Sequence, residues 1–203
     1  MISVVIPAYN EGERILKVLK ETKKYVDEII VVDDCSTDET AEISKQYADV
    51  LQNESNLGYL RSIKKGFKHA SGDIIVTLDA DGEHDPKYIP KMVEPIKEDE
   101  ADLVFGKRNV IPRPSERVLS KIAELKVNTV DTGTGYRALK KELAEKLELN
   151  GYCTCGIFAL EAYRKGAKMT EIDAPTIKIN KPKNVAWTHF PQFFKVLVEY
   201  IRN

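Results

Sequence analysis

No apolar run in these 203 residues approaches the ~20 needed for a helix to cross a bilayer, so no membrane-spanning helix is expected. The start, MISVVIPAYNEG, has no basic stretch ahead of its apolar residues. That apolar run is strand-length, which fits neither a signal peptide nor a membrane anchor. Cysteine is scarce, three in all, with Cys153 and Cys155 only two apart. A disulfide scaffold is excluded, and a C-x-C without a second Cys or His pair beside it is a poor zinc site. Reduced thiols in a cytosolic protein are expected. Excess charge is missing too: Lys+Arg 31 against Asp+Glu 32 leaves a net charge of -1. Such a balance gives no bulk attraction to nucleic acid. The glycine-rich loops G-x-G-x-x-G and G-x-x-x-x-G-K-[ST] are absent, which removes dinucleotide and P-loop chemistry. There is no internal repeat and no low-complexity tract.

What is present is an ordinary globular composition, 42% hydrophobic and 31% charged, long enough for one domain with a sizeable core. Short β-branched runs at 2–6, 29–32, 74–78 and 103–105 read as buried strands. Helical patterns fall between them at 11–25, 38–47, 58–70 and 86–98. Ser36 and Asp38 stand as N-caps of the second helix, and Asp85 followed by Pro86 gives a cap with proline at the first helical position. Alternating strands and helices predict an α/β fold, a single domain with a mostly parallel central sheet flanked by helices. Further on, a proline-containing connector at 110–115 precedes a helix over 115–128. Helices are predicted over 138–147 and 154–166, and an extended run over 169–179. Phe190, Phe193, Phe194, Leu197, Val198 and Ile201 recur at helical spacing. Packing of this stripe on the domain is the favoured expectation, and contact with a membrane surface is the alternative.

In an open parallel sheet, ligands bind beyond the carboxyl ends of the strands. Three strand ends here are polar: Pro7-Ala8-Tyr9-Asn10-Glu11, Asp33-Asp34-Cys35-Ser36 and Asp79-Ala80-Asp81-Gly82-Glu83. All would face one crevice. Asp79 and Asp81 are two apart on an extended segment, so their carboxylates point to one side. Two close carboxylates repel unless a cation or proton lies between them. Mg²⁺ or Mn²⁺ takes one or two carboxylates together with water and substrate phosphate oxygens, which suits a nucleoside diphosphate. Taken alone, D-x-D-G is an acidic turn; the company of the other two strand ends gives it functional weight. A response-regulator receiver is disfavoured because its acidic pair follows the first strand, whereas Asp33-Asp34 follows the second. Asp34 either caps the following loop or accepts hydrogen bonds from a nucleobase or ribose.

The segments P-A-Y-N-E, V-V-D-D-x-S-x-D, N-x-G, A-S-G-D-I-I-V-T-L-D-A-D-G-E-H-D-P and F-G-K-R occur in this order. Together they resemble family 2 glycosyltransferases with the GT-A (nucleotide-diphospho-sugar transferase) fold, and within them the dolichyl/polyprenyl-phosphate mannose synthase-like branch. The resemblance covers roughly residues 1–180, with 1–108 as the nucleotide-sugar half, 109–180 as the acceptor side and 181–203 as an amphipathic tail. It implies that Pro7, Tyr9, Glu11, Val32, Asp34, Asp79, Ala80 and Asp81 hold the donor, and that Asp79, Asp81 and Glu83 hold Mg²⁺ or Mn²⁺. Glu83 stands where the family often has Gln. Arg108 resembles the family's phosphate-contacting arginine, and Arg117 with Ser120 the pair that grips a lipid phosphate. Asp131-Thr132-Gly133-Thr134-Gly135-Tyr136-Arg137 is similar to the family's D-x-T-S-G-F-R, with Gly133 departing from its Thr.

The implied reaction is inverting transfer of a hexose, mannose or glucose, from a GDP- or UDP-sugar to a polyprenyl or dolichyl phosphate. Negative charge develops on the leaving diphosphate, where a metal and arginines stabilise it. A phosphate acceptor needs no base; a hydroxyl acceptor, the second reading, needs one, and Asp131 is its candidate. A non-catalytic nucleotide-sugar-binding module is a third reading, which intact Asp79, Asp81, Arg108 and Asp131 argue against. A nucleotidyltransferase lacks its basic glycine-rich N-terminal loop here. Lys178, Lys181 and Lys183 either close over the diphosphate or lie in solvent; His84 and His189 are assigned to no metal. The expected location is the cytoplasm, with a peripheral contact to the cytoplasmic face of a membrane as the alternative.

Overall fold

The structure, a computed structural model, describes residues 1–111, 113–127, 129–177 and 186–202, with the backbone alone for 186–190. Lys178, Lys181, Lys183 and the end of the extended run read to 179 lie outside the described residues, as do the side chains of Phe190 and His189.

Strands β1 (Ile2–Ala8), β2 (Glu28–Asp33), β3 (Asp49–Gln52) and β4 (Ile74–Thr77) alternate with helices α1 (Gly12–Thr22), α2 (Thr40–Ser44) and α3 (Tyr59–His69). A 3-10 turn, Pro86–Tyr88, leads into α4 (Ile89–Lys97), β5 (Leu103–Lys107), α5 (Pro114–Glu124) and β6 (Arg137–Lys140). Then come α6 (Lys141–Lys146), α7 (Ile157–Arg164), β7 (Met169–Asp173) and α8 (Ala186–Arg202). All the strands join one seven-stranded sheet, in the order β3-β2-β1-β4-β6-β5-β7. Only β6 runs antiparallel, to β4 on one side and β5 on the other. The remaining pairings are parallel.

The central strands are apolar on both faces because helices cover both. On β1, Val4 and Ile6 enter one core cluster while Val5 enters the other. Helix α1 buries Ile15, Val18 and Leu19 against the first cluster; α3 buries Leu60, Ile63 and Phe67 against the second. Gly66 lets α3 approach closely: a Cβ there would lie 2.2 Å from Val5 Cγ1.

Several local expectations are corrected. The helix predicted over 138–147 starts only at Lys141, its first residues being strand, because β6 fills the gap between β4 and β5 and pairs Arg137 with Thr77 and Phe105. Ala138 and Leu139 then enter opposite core clusters; a sheet slot with two partners overrides the helix-forming character of Arg-Ala-Leu-Lys. Strand β3 is short and half-exposed, too weakly patterned to be predicted. Helix α2 begins later than expected, with Glu39 at its N-cap position. Asp38 still serves both helix starts, accepting from Thr40 N at 3.0 Å and from Gly12 N at 3.0 Å. Asp85 caps as predicted, accepting from Lys87 N with Pro86 at the first helical position.

The apolar stripe of α8 is the largest correction, for Phe193, Phe194, Leu197, Val198 and Ile201 face outward, Phe194 at 56% and Ile201 at 73% exposure. Gln192 and Val196 are turned in and fully buried instead. One polar side chain anchors the helix because the loop beneath it has backbone groups to satisfy. Gln192 Oε1 accepts from Tyr152 N at 2.8 Å and Cys153 N at 3.2 Å. Its Nε2 donates to Cys153 O at 2.9 Å and Cys155 O at 3.1 Å. With each hydrogen bond contributing about 1 kcal/mol net, Gln192→Ala is expected to lower stability by about 2–4 kcal/mol. Urea unfolding measures this, and an unchanged midpoint would remove the anchoring role.

Candidate active site

The carboxyl ends of β1, β2 and β4 open into one crevice of about 390 Å³, lined by Pro7, Tyr9, Glu11, Asp34, Asp79, Ala80 and Asp81 from the predicted set. Val32 is not among them: it is fully buried in the core with Val5 and Ile30. Tyr9 is half-exposed and offers an aromatic face to a planar base. The strand exits turn sharply. Asn10 (φ 54) and Cys35 (φ 67) adopt the left-handed conformation that non-glycine residues avoid. Asn10 is held there by Ser36, whose Oγ accepts from its N–H at 3.0 Å, and by donation from Thr37 N to its Oδ1 at 2.8 Å.

Asn56, Gly58, Tyr59 and Ser62 also line the crevice and were not predicted. Asp34 explains how they arrive. Its Oδ1 accepts from Asn53 Nδ2 and Leu57 N, and its Oδ2 from Gly58 N, each at 2.8 Å. Three donors on one carboxylate clamp the 53–58 loop to β2. Gly58, at φ 83, makes the turn. The N-x-G motif was the available signal, and its partner was Asp34.

Asp79 and Asp81 follow β4 in a turn rather than an extended segment. Asp81 Oδ1 accepts from Glu83 N at 2.9 Å. Glu83 does not line the crevice, and among the described residues no three His, Cys, Asp or Glu side chains form a preformed metal cluster. The expected trio therefore reduces to two carboxylates facing the crevice. Two carboxylates with diphosphate and water oxygens fit Mg²⁺ or Mn²⁺, which binds through few protein ligands. Behind Asp79 lie His84, with Nε2 3.6 Å from Oδ2, and Gly135, where a Cβ would sit 2.2 Å from the same oxygen.

Arg108, Asp131, Glu116 and Ser120 form a second, buried cluster. Arg108 donates from Nε to Asp131 Oδ2 and from Nη2 to Asp131 Oδ1, both at 2.8 Å, and from its backbone N at 3.0 Å. Nη2 also reaches Glu116 Oε2 at 3.1 Å, and Arg113 pairs with the other oxygen of Glu116. Burial alone would lower the Arg108 pKa, but the hydrogen-bonded Asp131 and the charge of Glu116 hold it above its ordinary value. Both Asp131 oxygens are thus committed to Arg108, and Asp131 is 1% exposed. That is the geometry of a counter-ion, not of a base awaiting a substrate proton. Ser120 is buried on Thr132, which donates to its Oγ at 3.0 Å, whereas Arg117 is exposed and bonds Ile111 O at 3.1 Å. The two residues share a helix but not a surface. The 131–136 loop joins the clusters: a Cβ on Gly133 would meet Arg108 Nη2 at 3.3 Å, while Gly135 backs onto Asp79.

The profile described as Glycosyl transferase family 2 matches residues 3–167. The chain belongs to that family. It is 34% identical over 172 residues to a dolichol-phosphate mannosyltransferase of Pyrococcus furiosus, covering 73% of this chain and 49% of that protein, so it spans about half of that relative. It is 29% identical over 215 residues to a UDP-N-acetylglucosamine--dolichyl-phosphate N-acetylglucosaminyltransferase of Methanococcus voltae, covering 87% and 86% of the two. Glucosyl-3-phosphoglycerate synthase of Mycobacterium tuberculosis, solved with Mn²⁺ and UDP-glucose, superposes with a TM-score of 0.83 at 22% identity, over 98% of this chain and 78% of that one. The expected GT-A fold and glycosyltransferase activity stand on these matches.

Removing one partner of a buried ion pair leaves an uncompensated charge. Asp131→Ala is expected to lower stability by about 3–5 kcal/mol, which thermal melting reads as a fall on the order of 10 °C. A variant that melts like the wild type yet loses transfer would restore the base role.

Proposed function

We propose that this chain transfers a hexose, with inversion, from a GDP- or UDP-linked donor to a polyprenyl-type lipid phosphate. The observation that carries the donor half is the crevice in which Tyr9, Glu11, Asp34, Asp79 and Asp81 converge. A divalent ion held by Asp79 and Asp81 would neutralise charge on the leaving diphosphate. Tyr9 stacks the base, and the clamped 53–58 loop walls the other side. The acceptor phosphate oxygen attacks the anomeric carbon opposite the diphosphate, forming the new C–O bond as the old one breaks, so configuration inverts and no proton moves.

The engagement of Asp131 by Arg108 favours an anionic acceptor over a hydroxyl one, since the hydroxyl reading depends on that base. In the second cluster Arg108 and Arg113 balance Asp131 and Glu116. An added phosphate therefore needs a further cation, and exposed Arg117 is the candidate. The outward stripe of α8 supports a lipid source for that phosphate. The exposed charges of α8 at described side chains are Lys195 and Arg202, while half-buried Glu199 pairs with both Arg164 and Arg202. An apolar face edged with basic residues suits an anionic membrane surface. No helix among the described residues is long and apolar enough to cross a membrane, so on this reading α8 lies on the surface.

Ligands that bind the native state raise its melting temperature. UDP or GDP with Mn²⁺ is expected to do so in the wild type and to lose most of the shift in Asp81→Ala; an equal shift in both would remove Asp81 from the donor site. Separately, Phe194→Glu is expected to leave the fold intact and weaken sedimentation with phosphatidylglycerol vesicles by roughly tenfold or more, as burying such a ring contributes about 1.5–3 kcal/mol. Equal sedimentation would exclude the stripe as the membrane contact.

A further inference from the structure

Asp34 is only 5% exposed, yet it lines the donor crevice. An ionised carboxylate accepts about four hydrogen bonds, two on each oxygen. Leu57 N and Asn53 Nδ2 both donate to Oδ1, while Gly58 N alone donates to Oδ2, each at 2.8 Å. Oδ1 is therefore filled from within the protein, and the place still open is on Oδ2.

Asn53 is fixed in its turn. It is buried, and Lys65 Nζ donates to its Oδ1 at 2.8 Å. That contact sets the orientation of the amide, so Nδ2 faces Asp34 and also reaches Ser62 Oγ at 3.2 Å. Ser62 is fully buried and lines the crevice. Its oxygen accepts from Asn53, and its hydroxyl proton meets no acceptor among the described residues. A buried donor left unpaired costs free energy that a ligand carbonyl would recover. Asn56, exposed on the same crevice, carries a second side-chain donor.

The edge offered to a base is thus one acceptor place with donors beside it. Uracil presents the complement, a single N3–H between two carbonyl oxygens. Guanine presents N1–H and an N2 amino group together and needs two acceptors side by side, which a filled Oδ1 does not give. Cytosine carries no proton at N3 and turns a lone pair toward the carboxylate. A site built for one hydrogen-bond pattern rejects the base that leaves its buried polar groups unpaired. Stacking on Tyr9 would not discriminate, because every base has a flat face.

We propose that Asn53 and Ser62 select uridine diphosphate at this crevice, Asn53 by occupying Asp34 Oδ1 and Ser62 by donating to a uracil carbonyl. This choice rests on the donor reading of the crevice and narrows its nucleotide to one. Asn53 acts through Asp34 and is a positioning residue; Ser62 meets the base.

The test uses the purified full chain and titration calorimetry with UDP, CDP and GDP in the presence of Mn²⁺, alongside thermal melting. The wild type is expected to bind UDP roughly tenfold or more tightly than either CDP or GDP. CDP matches UDP in ring size, so that difference reports the hydrogen-bonding edge. Ser62→Ala is expected to melt like the wild type and to weaken UDP by about threefold to tenfold. Asn53→Ala is expected to narrow the advantage of UDP over GDP by roughly threefold or more, whereas a merely structural loss would weaken both alike and leave the ratio unchanged. If Asn53→Ala does not fold, the wild-type ratios and Ser62→Ala decide. A wild type short of the expected margin overturns the inference and leaves the donor reading standing, and unchanged UDP affinity in Ser62→Ala overturns the role of that hydroxyl. A wild-type protein that binds none of the three nucleotides overturns the donor reading and this inference with it.

Discussion

The Asp79 carboxylate and the backbone of Gly135 pack so closely that no side chain fits between them. Thr77, two residues before Asp79, fixes the same point by donating its hydroxyl to Gly135 O at 2.7 Å. Through this contact the end of β4 and the 131–136 loop behave as one piece. The Asp79 and Asp81 carboxylates stand on one side, the Arg108–Asp131 ion pair on the other, and Gly133 and Gly135 lie between. Much of the remaining architecture serves this junction. Strand β6 brings the loop to β4, Tyr136 stacks on His84 at 5.2 Å between ring centres, and Tyr136 O–H reaches Asp85 O at 3.2 Å.

The gathering of Tyr9, Glu11, Asp34, Asp79 and Asp81 on one crevice was legible in the sequence because its signals are local. Strand runs, the acidic residues that end them and the N-x-G turn each lie within a few residues of one another, and parallel topology gathers them without further information. The acceptor half was not, because its contacts are long-range. Asp131 and Arg108 are 23 residues apart, and nothing in either segment announces that each neutralises the other. Ser120 and Arg117 were paired by resemblance to the family's lipid-phosphate grip, yet burial separates them. Val32 belongs to a strand whose end opens on the crevice, but its side chain points into the core. For α8 the apolar period was right and its direction wrong, because the hydrogen-bonding demand of the 152–155 backbone, met by Gln192, outweighed the stripe.

Polar groups in this protein fall into two kinds. Asp34, Gln192 and Asp131 each hold several partners and act as fasteners for a loop, a helix and a guanidinium. Arg137, also fully buried, instead lies against the rings of Phe158 and Phe105.

The antiparallel strand has a consequence for assembly. Strands β1 to β4 can each pair with a strand already made, β2 and β4 on either side of β1 and β3 on β2, but β5 has no hydrogen-bonded neighbour among them; β6 joins it to β4. Completing the sheet therefore waits for a segment that emerges from the ribosome after β5, α5 and the loop that follows. The arrival of β6 also delivers Gly135 to Asp79. Closing the sheet and buttressing the Asp79 end of the crevice are one event, so an incompletely folded chain does not expose a finished crevice.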